Sequence, residues 1–219
     1  MGLRQQLTSM NQEQADWEDV AQAARRLVAC ADAQELVARW HPLGFIDIPI
    51  SEGAAAACRK STHTTIHVWH PEFSRPQDPP DVCHSHGWHL DSVVLYGSFV
   101  NETYDVEADA AAPYTLYEVS YGAGVSISQS TGRRVTVRIE NEERIQQGTR
   151  YQIPAEFFHW TRTNSDDLVI TVMSSGGFTG KSPMTVRSAD SRLTYEYERK
   201  FCSSGVRKTV FQDILSRLT

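Results

Sequence analysis

Residues 83–99 read CHSHGWHLDSVVLYGSF, and the pair His84 and His86 near their start decides the reading of the chain. Side chains alternate between the two faces of a β-strand, so two histidines separated by one residue present both imidazoles to the same side. One ion can then take a ligand from each. A second piece lies downstream in residues 148–160, GTRYQIPAEFFHW, where Gly148 is followed by Pro154 and then by His159. The two pieces form one candidate metal site, with His84, His86 and His159 as its ligands.

The texture around these pieces is that of strands. From Phe45 to about Lys200, short runs rich in Val, Ile, Thr and Tyr alternate with Gly, Pro, Asn and Asp. FIDIPI, THTTIHVW, the stretch through His84 and His86, DSVVLYG, SFVNETYDV, YTLYEV, VSISQ, RVTVRI, TRYQIP, FFHWTR, DLVITVM and LTYEYE are the expected strands. With no helical pattern between them, they suit an all-β sandwich or barrel of antiparallel strands and exclude a doubly wound α/β fold. Helices are expected at both ends. Trp17, Val20, Ala24, Leu27 and Val28 mark an amphipathic helix over 12–29. Asp32 and Glu35 have the form of a capping box for a second, shorter helix with Leu36, Val37 and Trp40 on its apolar face. Val206, Val210, Phe211, Ile214, Leu215 and Leu218 predict a closing helix over 206–218. The expected organisation is a helical extension at 1–44, a barrel at 45–200 and a C-terminal helix at 201–219.

A net charge of −6 over 219 residues, with no run of basic residues, speaks against nucleic acid or an anionic membrane as partner and for a small molecule. No segment has the apolar core of a secretory signal or the length of apolar residues that spans a bilayer, so a cytoplasmic location is expected. Cys30, Cys58, Cys83 and Cys202 are far apart and form no paired zinc spacing, which reads as reduced thiols. Cys83 stands out only as the neighbour of His84.

Six of the eight histidines fall between positions 63 and 89. His63, His70, His89 and an exposed His41 read as ordinary hydrogen-bonded residues, whereas His67, in the alternating run TTIHVW, reads as a pocket-lining substrate contact. Three neutral imidazoles suit iron, zinc, copper, nickel or manganese and leave coordination positions open. Trp88, Tyr104 and Trp160 are candidate lining residues for substrate. Tyr96 and Tyr151 are the candidate proton donors.

These residues resemble the two motifs of the cupin superfamily. His84, His86 and Gly97 match the first, and Gly148, Pro154, His159 and more loosely Asn164 match the second, over roughly residues 55–175. The resemblance implies a double-stranded β-helix, or jelly roll, and an acidic fourth ligand. Spacing forward from His86 puts that ligand at Asp91; spacing back from Gly97 puts it at Leu90. A site without the acid is similar to the thiol dioxygenase branch, as is the order of Arg59, the strand ending at Trp69, the histidine pair and Tyr151. In that branch an upstream arginine holds the substrate carboxylate, which implies this role for Arg59. The branch's late tyrosine has no counterpart in LVITVMSSGG, and no cysteine stands at the acid position, so the substrate is not carried over. A 2-oxoglutarate oxygenase is excluded because His86 stands where its carboxylate belongs.

The leading expectation is a mononuclear non-haem Fe(II) oxygenase that uses O2 on a small amino-acid-like or chelating metabolite. The alternatives are an isomerase, epimerase or lyase using Zn, Ni or Mn as Lewis acid, and a non-catalytic small-molecule-binding cupin. A homodimer is compatible with the helices and exposed strand edges.

Overall fold

The structure, a computed structural model, describes residues 17–30, 36–50, 63–77, 80–122 and 124–218. The first helix, α1 (Trp17–Cys30), buries Val20, Ala24, Leu27 and Val28, the stripe its spacing predicts. Of the expected second helix, the part over residues 36–40 is not helical. Residues 31–35 lie outside the described set, and Arg39–Trp40 is already a strand, β1, paired with β2 (Ile46–Pro49). Pro42 and Gly44 serve the hairpin turn between them: Gly44, at φ +91°, donates its N–H to the His41 carbonyl at 2.9 Å. The first sheet thus begins at Arg39 and not at the expected residue 45.

The remaining strands are β3 (His63–Trp69), β4 (Cys83–Ser85), β5 (His89–Tyr96), β6 (Ser98–Ala108), β7 (Tyr114–Gly122), β8 (Val125–Gln146), β9 (Arg150–Ile153), β10 (Phe158–Arg162), β11 (Val169–Gly176), β12 (Met184–Ser188) and β13 (Thr194–Glu198). VSISQ and RVTVRI, expected as two strands, run together in β8, while β12 was not anticipated. One sheet has the order β1-β2-β3-β11-β5-β9 and the other β13-β8-β6-β10-β4-β12-β7, with β8 also pairing β7. From β3 to β6, and again from β9 to β12, successive strands therefore alternate between the sheets. That alternation is the winding of a double-stranded β-helix, and the fold is of the all-β cupin type.

Period two sorts each strand of the first sheet. Ile46, Ile48, Ile66, Val68, Val93, Leu95, Ile170 and Val172 face outward onto α1 and the C-terminal helix α2 (Ser204–Arg217), forming the largest apolar core. Fully burying one such side chain is worth about 1.5–3 kcal/mol. Ser203 caps α2 through its hydroxyl, and Val210, Phe211 and Ile214 are the residues it buries. Arg25 of α1 donates to the Leu215 carbonyl in the last turn of α2, and His70 reaches Asp213 at 2.9 Å. The opposite face of the first sheet looks toward the second sheet across the barrel interior.

On the second sheet, His84, Thr185 and Tyr117 are register partners in a row, so their side chains share the interior-facing side. Arg187, two residues along from Thr185, lies on that same side. It is almost fully buried, paired with Asp81 and stacked against Tyr117, Tyr195 and Tyr197. Burial pushes the Asp81 carboxyl up, and the guanidinium opposes that shift. Removing one partner leaves the other charged and buried, which is the expensive case. Asp81→Ala should therefore lose about 3–5 kcal/mol of unfolding free energy in a denaturant titration. Asp105→Ala, which breaks an exposed pair with Arg138, should leave the midpoint unchanged.

Candidate metal centre

Three strands bring the histidines together. His84 of β4 lies directly opposite His159 of β10, and His159 in turn lies opposite Thr103 of β6. His86 follows immediately after β4. Its carbonyl accepts the N–H of Glu156 at 2.7 Å, which ties the turn Pro154–Phe157 to the histidine pair. The glycines act by different means. A Cβ on Gly87 would run into the Lys181 carbonyl, so the residue after the pair must be small. Gly97 and Gly148 both have positive φ and sit together: the N–H of Gln147 donates to the Gly97 carbonyl at 2.9 Å, and that of Gly148 to Val94.

The imidazoles converge. One ring nitrogen from each of His84, His86 and His159 lies within 4.8 Å of the others. Nε2 of His86 and Nε2 of His159 face each other at 3.2 Å. Nδ1 of His159 is 3.4 Å from Oδ1 of Asn101, which can accept its proton and so turn the Nε2 lone pair inward. Burial is the main cause holding all three rings below their ordinary pKa, His84 and His86 well below it and His159 at about 4. Neutral rings are the form that binds a metal. Among the described residues, Nδ1 of His84 and Nδ1 of His86 are buried with no hydrogen-bond partner. Facing lone pairs repel unless a proton or a cation stands between them. A three-imidazole donor set of this kind fits a first-row transition ion and leaves its remaining positions for other ligands.

Asp91 is not among the converging groups. Its carboxylate receives both Nε, at 2.8 Å, and Nη2 of Arg150 from β9, so the candidate fourth ligand is corrected to an ion-pair partner. Tyr96 is corrected as well: it belongs with the helix-side core and lies under the Arg217 guanidinium at 5.3 Å. Tyr151 sits in the apolar cluster of Val94, Phe99, Ile145 and Val169, edge-on to Phe99, with burial pushing its hydroxyl up to about 12. Tyr104 points to the far side of the second sheet, packed with Cys83 and bonded to Glu102. That cluster also explains Cys83, whose thiol burial raises to about 12. Asn164 caps a loop through Asp167, at 2.8 Å. Arg59 lies outside the described residues.

Trp88, Trp160 and His67 do lie near the triad. The Trp88 ring is 5.4 Å from His86 and the Trp160 ring 5.9 Å from His84. His67 is the register partner of Asp47, with Nε2 at 3.7 Å from its carboxylate, and burial lowers its pKa to about 4. Asp47 is buried yet held ionised by His67, Arg39 and Thr65 against the opposing effect of burial. His41, expected as exposed, stacks on Phe45 at 4.2 Å and stands 6.2 Å from His67. Sequence reading missed Asp47 and Asn101. The signal for Asp47 was its alternation with Ile46, Ile48 and Ile50, which puts an acid on the face opposite three isoleucines.

No family model matches the chain, and no curated protein does. Among solved structures it is similar to the 11S globulin from Wrightia tinctoria, at 13% identity and a TM-score of 0.34, over 66% of this chain and 33% of that one. The chain thus spans about a third of that globulin's length. It is also similar to a chain from the crystal structures of the DMSP lyases RdDddP and RnDddQII, at 15% identity and a TM-score of 0.37, over 86% of this chain and 77% of that one.

His84→Ala and His159→Ala should each lose most bound metal, read by elemental analysis, while keeping the β-sheet circular dichroism. Asn101→Ala should weaken metal binding by about 10- to 100-fold through loss of ring orientation. His70→Ala, whose ring bonds Asp213 and Glu72 and stacks on Phe73 away from the triad, should change metal content not at all. In the metal-free protein, His67 and His159 are at about 4 when folded against 6.5 ordinarily, so the unfolded chain binds more protons between those values. Stability should be full above about pH 6.5 and fall as pH drops toward 4, measured by denaturant midpoints in chelator.

Proposed function

We propose that this protein is a metal-dependent cupin enzyme, and that its chemistry is a mononuclear Fe(II) oxygenation of a small chelating metabolite by O2. The observation that carries this reading is a group of three converging neutral imidazoles that, among the described residues, no carboxylate joins, Asp91 being committed to Arg150. His84, His86 and His159 would hold ferrous iron, which when bound would supply electron transfer to dioxygen. The chain's own contribution is then orientation and a dry interior. Asn101 sets the His159 ring, Trp88 flanks the approach to the histidines, and the mainly buried interior keeps His67 unprotonated and able to accept a proton from bound substrate.

That same His67, with Asp47 behind it, supports the second reading, a lyase or isomerase in which the ion is a Lewis acid and a protein base removes a proton. Zinc, nickel or manganese would serve there. Oxygen separates the two. Protein reconstituted anaerobically with ferrous iron should consume O2 with at least one member of a panel of amino acids and thiols, and His159→Ala should abolish that uptake. Turnover that proceeds without O2 and with zinc would replace the first reading by the second.

A further inference from the structure

Arg199 follows β13 at the mouth of the barrel, and hydrogen bonds from both sheets set its place. Its backbone N–H donates to the Gly124 carbonyl, at 3.2 Å, beside β8. The next carbonyl, of Lys200, accepts from Trp40 of β1 at 2.9 Å, and Cys202 donates to Ala38 at 2.8 Å. Residues 199–202 thus cross from one sheet to the other. Alternation along β13 gives Arg199 the same side as Tyr195 and Tyr197, whose register partners are Ser128 and Ser126. This is the side on which the row from Tyr117 through Thr185 to His84 lies.

The guanidinium is held in place. Nε donates to Oγ of Ser126 at 3.2 Å, and the group lies 5.3 Å over the Tyr121 ring. Tyr121 stands 6.2 Å from Trp88, which is 5.6 Å from Phe178 and 5.4 Å from His86. An aromatic wall therefore runs from the guanidinium to the triad. The charge is felt inside: after burial, it is a main influence lowering His41 and it also lowers His67.

Several arginines of the two sheets are paired with carboxylates, while Arg25 and Arg134 bond backbone carbonyls instead. Arg39 has Asp47, Arg150 has Asp91, Arg162 has Glu102 and Arg187 has Asp81. Among the described residues, no carboxylate forms an ion pair with Arg199. Its two terminal amino groups remain for a ligand, in the geometry that takes a carboxylate bidentately. One guanidinium balances one negative charge, which favours a carboxylate over a phosphate dianion. A group already stacked and bonded loses little further freedom on binding.

We infer that Arg199 is the anion-binding residue of this cavity, and that the ligand is a small carboxylate lying along Trp88 with its other end toward the histidines. The inference rests on the reading of the triad as the reaction centre. It assigns to Arg199 the role that resemblance implied for Arg59.

The test is calorimetric titration of propionate, pyruvate and succinate, beside propionamide and succinamide, into the full chain with its metal content measured. At least one carboxylate should bind in the millimolar range or tighter, with the matching amide about tenfold weaker, as expected for a charge-assisted pair. Arg199→Gln should lose about the same factor, and Arg199→Lys should recover part of it. Both variants should keep wild-type metal content and unfolding midpoint. Equal binding of acids and amides, unchanged affinity in Arg199→Gln, or no carboxylate binding to the wild-type protein overturns the assignment; the acid–amide comparison needs no variant to fold. Carboxylate binding that persists in a chain unable to hold metal would remove the reaction-centre reading and leave the Arg199 site standing. Metal retained with no carboxylate bound would do the reverse.

Discussion

The cross-strand pairing of His84 with His159 is the constraint on which the rest of the site depends. Opposed residues of antiparallel strands share a face and stand within reach of each other, so the pairing alone brings two distant segments to one point. It tolerates no slip. A shift of one residue would turn His159 to the far side, among Cys83, Phe158 and Tyr104, and put Phe158 or Trp160 in its place. The glycines and the Pro154 turn are devices that hold this register. Gly97 and Gly148 lie at neighbouring turns joined by a hydrogen bond, and Gly87 lets the chain at Lys181 pass close behind the pair.

The cost of this arrangement is desolvation. His41, His67, His84, His86 and His159 are all pulled below their ordinary pKa with burial as the first cause, and among the described residues Asp47 is the buried carboxylate beside them. Asp47 keeps its charge because Arg39 and Thr65 bond to it and His67 lies alongside. The two walls of the interior thus differ in kind. One offers neutral lone pairs that meet at a point, and the other offers a hydrogen-bonded ionic group that does not reach them. A cation on the first wall would regain part of what burial removed, which is why ion binding and folding are coupled at sites of this type.

Much of this was legible in residues alone. The pair spacing, the following glycine and the glycine-proline-histidine piece pointed to three converging histidines and a β-helix, because strand period and turn chemistry are local properties. The acid was not legible. Asp91 has the right type and nearly the right spacing, but its alternation leads to Arg150 on β9, a pairing that depends on tertiary order. Tyr96 failed for a related reason: strand position does not say which face looks inward when helices cover the other. At the end of the expected second helix Trp40 instead pairs with Ile46 and seals the core, a contact that helical spacing does not show. Asp47 and Asn101 carry no motif, and only register shows what they touch.

The Arg199 crossing links fold to chemistry in one further way. Because residues 199–202 are hydrogen-bonded to both sheets, the rim of the barrel beside Arg199 is fixed by backbone bonds and is not a loose loop. A ligand entering there meets a fixed cation first, then Tyr121 and Trp88, then the histidines. A molecule with one anionic end and one donor end is oriented by such a path before it reaches the centre, since its charge is satisfied only at the mouth. The positive charge also opposes protonation of His41 and His67, so the group that selects an anion keeps the nearby imidazoles in their neutral form.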